Sequence, residues 1–217
     1  MEKDDQREES EEIKKDNINQ GYQKFSYFIE LIKVIVWALV IIIPVRTFLF
    51  QPFFVQGSSM EPNFHDGEYL IVNEWGYKRT TVSAKDNEIF TVDPSKEFER
   101  GDVVVFRYPK NPEEFFIKRI IGLPGERVKI ENDQVIIFNE NNPRGFVLDE
   151  SAYLPSMTTE TNCAEYCDFN LSDQEYMVLG DNRLHSSDSR SWGTLPKEYV
   201  IGKVLLRAWP LDEFTLF

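Results

Sequence analysis

Two cysteines and two histidines are the whole supply of soft and imidazole metal ligands in this chain of 217 residues. A structural zinc cage normally takes four such ligands at short spacings, so none is expected. Basic residues are the scarcer sign: 24 Lys and Arg stand against 37 Asp and Glu, a net charge of −13. Nucleic acid, whose phosphates would be repelled, is excluded as a partner. No internal repeat is present, and no long amphipathic helical period appears beyond residue 49, which excludes solenoids and helical bundles. The longest uncharged apolar run, residues 34–45, is 12 residues. That is about 18 Å of helix against the ~30 Å of a bilayer core.

What is there begins with an acidic leader. Residues 1–24 carry almost nothing apolar, and the first 20 hold eight acids and four bases. This composition predicts a disordered tail. A span can be completed if it takes in Lys33 or Arg46, whose long side chains reach the interface. The reading is an uncleaved transmembrane signal-anchor helix over 25–49, since the exit Pro44-Val45-Arg46-Thr47-Phe48-Leu49-Phe50 lacks the small residues of a cleavage site. A buried soluble helix is the alternative. Arg7, Lys14, Lys15 and Lys24 precede the run, and after Arg46 no Lys or Arg occurs before Lys78. Positive-inside logic places the N-terminus in the cytoplasm and residues 50–217 outside. In an external domain, Cys163 and Cys167 are expected to form a local disulfide, with two free thiols as the alternative, since spacing alone does not fix the geometry.

Residues 50–217 read as a β-rich domain of short strands. Apolar, β-branched and aromatic runs at 69–72, 103–106, 115–121, 176–179 and 200–208 are bounded by turn residues such as Gly67 and Gly101-Asp102. Runs at 128–130 and 135–138 flank Glu131-Asn132-Asp133-Gln134, a hairpin signal. Two polar stretches, about 76–100 and 139–174, read as insertions.

Candidate chemistry begins with Ser59, which lies only 14 positions past Val45. Fully extended, that leash spans about 50 Å at most, so any reaction at Ser59 takes place near the bilayer surface. A serine needs a base. His65 and His185 both lie in polar loops, where a histidine ordinarily has no catalytic part. Lys118 is the other candidate. In a strand it shares a face with Phe116 and Ile120, and desolvation there favours the neutral amine a base requires. Arg119 points to the opposite face. The densest polar segment, 180–193, includes Asp181, Asn182, Ser186, Asp188 and Arg190. It reads as a rigid turn held by Asp188–Arg190 pairing, or as a source of a hydroxyl for the lysine.

Three blocks in order carry a resemblance: Gly57-Ser58-Ser59-Met60-Glu61-Pro62; then Arg100-Gly101-Asp102-Val103-Val104-Val105-Phe106 with Ile117-Lys118-Arg119-Ile120-Ile121-Gly122-Leu123-Pro124-Gly125; then Gly180-Asp181-Asn182-Arg183 with Ser186, Asp188-Ser189-Arg190 and Trp192-Gly193. Behind one anchor, these blocks resemble a bacterial type I signal peptidase (leader peptidase, peptidase S26 type, with a Ser-Lys dyad). The resemblance implies a mostly antiparallel β catalytic domain on the outer side of the cytoplasmic membrane. It implies a serine endopeptidase without metal or cofactor that cuts secretory preproteins after a small-x-small pattern. Secretory preproteins and the lipid bilayer are its implied partners, with the secretion translocon as a candidate. Residue by residue, Ser59 matches the nucleophile, Lys118 the general base and Ser186 the hydroxyl orienting the lysine. Asp188 and Arg190 match a supporting salt bridge, and Met60 matches a residue near the substrate pocket. Asp181 and Asn182 belong to the same supporting block.

Two positions depart from the family pattern. Gly57 stands where many Gram-negative members have a second Ser that helps hold the oxyanion, which leaves the second donor open, with Ser58 the neighbour to consider. Leu184-His185 stands where Asp-Asn is common. Two rival readings remain beside the peptidase. A self-cleaving repressor-type protease shares the dyad, but an anchor does not suit a DNA-binding regulator. A catalytically silent, membrane-anchored scaffold that binds signal peptides would leave a preprotein whole.

Overall fold

In this computed structural model the described residues are 26–42, 50–77, 80–84, 87–92, 94–154, 163 and 167–217, with backbone alone over 80–90 and at 92. The expected tail over 1–24 and both ends of the expected span lie outside them. A helix, α1, runs over residues 26–42, and all of its residues are exposed. At 1.5 Å per residue it is about 25 Å long. No helix among the described residues is long and apolar enough to cross a membrane by itself.

The β domain is a separate unit. Its strands are β1 Phe50–Phe54, β2 Tyr69–Asn73, β3 Thr80–Ala84, β4 Asn87–Val92, β5 Val103–Tyr108, β6 Asn111–Gly122, β7 Arg127–Glu131, β8 Gln134–Asn139, β9 Asn142–Val147, β10 Asp168–Asn170, β11 Glu175–Leu179, β12 Leu195–Pro196, β13 Val200–Trp209 and β14 Thr215–Leu216. All pairings are antiparallel. The large sheet has the order β1-β2-β13-β5-β6-β11-β12, with β14 beside β13. A second sheet has the order β10-β7-β8-β9, and β3-β4 form a separate hairpin. A one-turn helix, α2, covers Ser189–Trp192.

The run Val103-Val104-Val105-Phe106 shows why a continuous apolar strand forms. Val103 and Val105 pack with Met60, Phe64 and Leu70, while Val104 and Phe106 pack with Ile120, Tyr176 and Trp192. Burial on both faces removes the alternation a half-exposed strand would show. A third cluster joins Ile121 and Met177 to Val128, Ile137 and Phe169 of the second sheet. The β7–β8 turn takes positive φ at Asn132 (52°) and Asp133 (60°), the conformation a two-residue hairpin requires and these residue types tolerate.

Every strand expected from pattern is present. The two expected insertions are not strand-free: 76–100 contains the β3–β4 hairpin, and 139–174 contains β9 and β10. Their polar composition hid them, because β9 is nearly all exposed and so lacks an apolar period. Cys163 and Cys167 form a disulfide.

Candidate active site

Ser59 sits in the turn that follows β1. Gly57 opens that turn at φ +85° and donates its N–H to Asp66 Oδ1 at 2.7 Å. Glycine adopts that conformation without strain. Met60, 1% exposed, plugs the next position into the core, and the N–H groups of Asn63 and Phe64 both donate to its carbonyl at 3.0 Å. The plug fixes the direction in which Ser59 leaves the turn.

Lys118 reaches the same point from β6. Only 3% of it is exposed, and its Nζ donates to Ser59 Oγ at 2.6 Å and to the Ile117 carbonyl at 2.7 Å. The amine also lies 5.5 Å from the centre of the Phe116 ring. Burial pushes its pKa down to about 8, against the pull of Asp188 and Asp181, whose charges favour the ammonium. At pH 7 to 8 a fair share of the lysine is therefore neutral, which a general base needs.

The 180–193 segment fastens both groups. Asn182 donates its N–H to the Ser59 carbonyl at 3.1 Å and its side-chain amide to the Ser58 carbonyl at 3.0 Å. Arg119, on the opposite face of β6 from Lys118, forks onto Asp181 with bonds of 2.8 and 2.6 Å. Asp188, fully buried, pairs with Arg190 through two bonds of 2.8 Å, accepts the Gly180 N–H at 3.0 Å and caps α2.

The Ser186 hydroxyl, expected to orient the lysine, makes no bond to it. Its Oγ is buried with no hydrogen-bond partner among the described residues, and Lys118 spends its second bond on the Ile117 carbonyl. Ser186 packs instead against Gly180, beside the Ser59 carbonyl. His65 is held by Glu68 at 3.2 Å, and His185 lines the cleft. Ser59 Oγ bonds to Lys118 rather than to either histidine. His65, Glu68 and Glu213 come close enough to hold a cation together, but Arg207 lies 2.8 Å from Glu68 and 3.0 Å from Glu213 and already supplies that charge.

Pattern reading missed Asn63, Glu150 and Tyr153. Asn63 donates to Asp181 Oδ2 at 2.8 Å and to the Tyr153 carbonyl at 2.7 Å. Glu150 pairs with Arg183, whose side chain is fully buried. Glu150 and Tyr153 stand in a polar stretch with no local signal of such pairing.

A cleft of about 670 Å³ leads to the dyad, with Phe53, Gln56, Ser58, Glu114, Phe115 and Ser187 among its walls. Its two long sides are the outer edge of β1, which among the described residues pairs only with β2, and the stretch of β6 before residue 119, which β11 leaves unpaired. Two open strand edges facing one cleft suit an extended peptide.

The family model described as signal peptidase, peptidase S26 matches residues 28–209. A probable signal peptidase I-2 of Synechocystis sp. is 33% identical over 194 residues, covering 87% of this chain and 77% of that protein. Signal peptidase IB of Staphylococcus aureus is 32% identical over 200 residues, covering 86% and 92% respectively. A crystal structure of a signal peptidase I from Enterococcus faecalis V583 shares 32% identity, covering 50% of this chain and 97% of that one at a TM-score of 0.39.

Proposed function

The chain belongs to the signal peptidase S26 family and is a serine endopeptidase that removes signal peptides from secretory preproteins, and we propose that Ser59 and Lys118 are its nucleophile and general base. The observation that carries this assignment is the 2.6 Å bond between Lys118 Nζ and Ser59 Oγ at a buried amine.

The preprotein's cleavage segment enters the cleft extended and adds to the edges of β1 and β6. Four antiparallel steps separate these strands in the sheet, so they run in the same direction, and both lead to the dyad. The peptide carbonyl at their ends meets Ser59. Neutral Lys118 takes the Oγ proton while Oγ attacks the carbonyl carbon. The oxyanion forms beside the Ser59 N–H. Gly57 N–H is committed to Asp66, so the Ser58 hydroxyl is the candidate second donor. The ammonium then protonates the leaving nitrogen and the C–N bond breaks. A water passes a proton to Lys118 and attacks the ester, and Ser59 regains its proton as the signal peptide leaves.

Attachment to the cytoplasmic membrane, with the β domain outside, is part of the same proposal. Its support is the exposed apolar helix α1, the basic residues before it and an exposed apolar face on the large sheet. Phe54, Tyr69 and Trp209 stand in register across β1, β2 and β13, all exposed, and Leu211, Phe214 and Leu216 follow them. An apolar surface of this kind fits a lipid interface better than bulk water. The assignment of the dyad is tested by incubating Ser59→Ala and Lys118→Ala proteins with a preprotein. Each leaves it uncut while keeping the native fold, and full processing by either variant removes that residue from the mechanism.

A further inference from the structure

The segment after β9 turns back over the floor of the site. Leu148 N–H donates to the Val135 carbonyl at 2.8 Å, and the N–H groups of Tyr153 and Leu154 close a turn on the Glu150 carbonyl at 3.2 and 2.9 Å. That turn brings one carboxylate and one phenol to two different parts of the dyad's support. Glu150 accepts both Nη atoms of Arg183, at 3.0 and 2.5 Å, and the Tyr153 hydroxyl at 2.8 Å. Arg183 in turn donates Nε to the Gly180 carbonyl at 3.1 Å. The Tyr153 carbonyl accepts from Asn63 at 2.7 Å, three residues past Met60, and the Arg119 guanidinium lies 4.2 Å over the Tyr153 ring.

We propose that Glu150 and Tyr153 are positioning residues: one turn of the 148–154 segment clamps the 60–63 turn behind Ser59 and the 180–183 turn beside it, and so sets the Ser59–Lys118 distance. Neither residue lines the cleft beside Ser59 and Lys118, so the route from each to the reacting atoms runs through the turns they hold. The clamp draws on three unlike contacts. The buried guanidinium of Arg183 needs the Glu150 charge, because a buried cation without its partner is strongly unfavourable. Burial and the neighbouring carboxylate push the Tyr153 phenol up, so its O–H remains a donor throughout the working range. The Tyr153 carbonyl is fixed by the same turn, which ties Asn63 to the position of Glu150. The inference deepens the assignment of the Ser59–Lys118 dyad and rests on it.

The test uses the full chain in detergent and a quenched peptide with small residues at −3 and −1. Tyr153→Phe keeps the ring over Arg119 and loses only the bond to Glu150. Glu150→Gln keeps an acceptor for Arg183 without the charge, and Glu150→Ala removes both. Misplacing a nucleophile lowers kcat without touching the binding lane, so the expected losses in kcat are about fivefold for Tyr153→Phe and roughly twentyfold or more for Glu150→Ala, with KM within about twofold. Glu150→Gln falls between them. If kcat of Tyr153→Phe and Glu150→Gln stays within about twofold of the unaltered protein below their melting temperatures, the clamp is refuted, even if both melt earlier. Should Glu150→Ala fail to fold, these two variants decide alone. Should the unaltered protein leave the peptide whole, the assigned activity fails instead, and amide exchange of residues 57–63 and 180–187 decides on the clamp: faster exchange in Tyr153→Phe supports it, unchanged exchange overturns it.

Discussion

Lys118 Nζ and Ser59 Oγ lie 2.6 Å apart although 59 positions separate them in the chain. Either partner can carry the proton at that distance: the ammonium donates to the hydroxyl, or the hydroxyl donates to the lone pair of the neutral amine. Only the second arrangement starts a reaction, and burial sets the pH at which it appears.

The pH dependence follows directly. Desolvation brings the Lys118 pKa to about 8, and activity requires the neutral amine. The rate therefore rises with pH through about 8 and levels above it. A pH profile of kcat/KM on a soluble peptide checks this in the free enzyme. An acid limb centred near 6, or a rate still climbing at pH 10, contradicts Lys118 as the base.

Stability carries a second mark of the same burial. An unfolded lysine titrates near 10.5, and the folded one near 8. Between those values the unfolded chain binds the extra proton, so stability rises with pH across that window. At pH 6 the lysine is charged in both states, and the full cost of burying it is present, about 3 kcal/mol. Lys118→Met removes that cost but leaves the Ile117 carbonyl and Ser59 hydroxyl without a donor, a loss of about 1 kcal/mol each. The variant is expected to be inactive, to unfold at a higher temperature than the native protein at pH 6, and to lose that advantage by pH 10.5. Melting curves at the two pH values decide. An advantage that grows with pH would refute the cause given for the shift.

The strands and the buried setting of Lys118 were legible because both depend on local pattern. Lys118 between Phe116 and Ile120 reads as a desolvated amine from alternation alone, and the β5 run announces a strand buried on both faces. The block order at 57–62, 117–125 and 180–193 supplied the partners. Other features depend on contacts no local pattern encodes. The clamp from Glu150 and Tyr153 comes from a polar stretch whose composition predicts a loop, and Asn63 looks like any turn residue. The Ser186 hydroxyl was expected on Lys118 and is found packed against Gly180 instead, with the Ile117 carbonyl in its place on the amine. A main-chain acceptor one residue away from the lysine is available to any side chain that folds back on its own strand, and it leaves no trace in residue identity.

The exposed face formed by Phe54, Tyr69 and Trp209 has a separable consequence. If it rests on lipid, Trp209→Ser and Leu211→Ser lower cleavage of a preprotein held in vesicles and leave cleavage of a soluble peptide within about twofold, because removing exposed apolar area weakens interface binding by about 25 cal/mol per Å². Side-by-side rates on the two substrates give the answer. Equal losses on both would mean the residues support the fold, and no loss on either would leave the face without a part in membrane attachment.

Gly180 offers the sharpest steric test. A Cβ there would lie 2.2 Å from Ser186 Oγ and 2.4 Å from the Ser59 carbonyl oxygen. Its φ is not positive, so alanine meets no backbone strain at this position, and space alone decides. The Ser186 hydroxyl can rotate away, but Ser186 Cβ at 2.5 Å and the Ser59 carbonyl move only with their backbones, and the Ser59 backbone carries the nucleophile and is tied to Asn182. Relief therefore comes from moving the Ser186 loop and the Ser59 turn apart. Overpacking of this kind costs about 1–3 kcal/mol of stability, which a folded domain survives. A nucleophile displaced by ~1 Å loses about 10²-fold in rate. Gly180→Ala is expected to remain folded by circular dichroism, to bind peptide with nearly unchanged KM because the β1 and β6 edges are untouched, and to lose about two orders of magnitude in kcat. A variant that turns over at the native rate would show that the 180–183 turn and the Ser59 turn move independently, and the account of how the site is held would have to be abandoned.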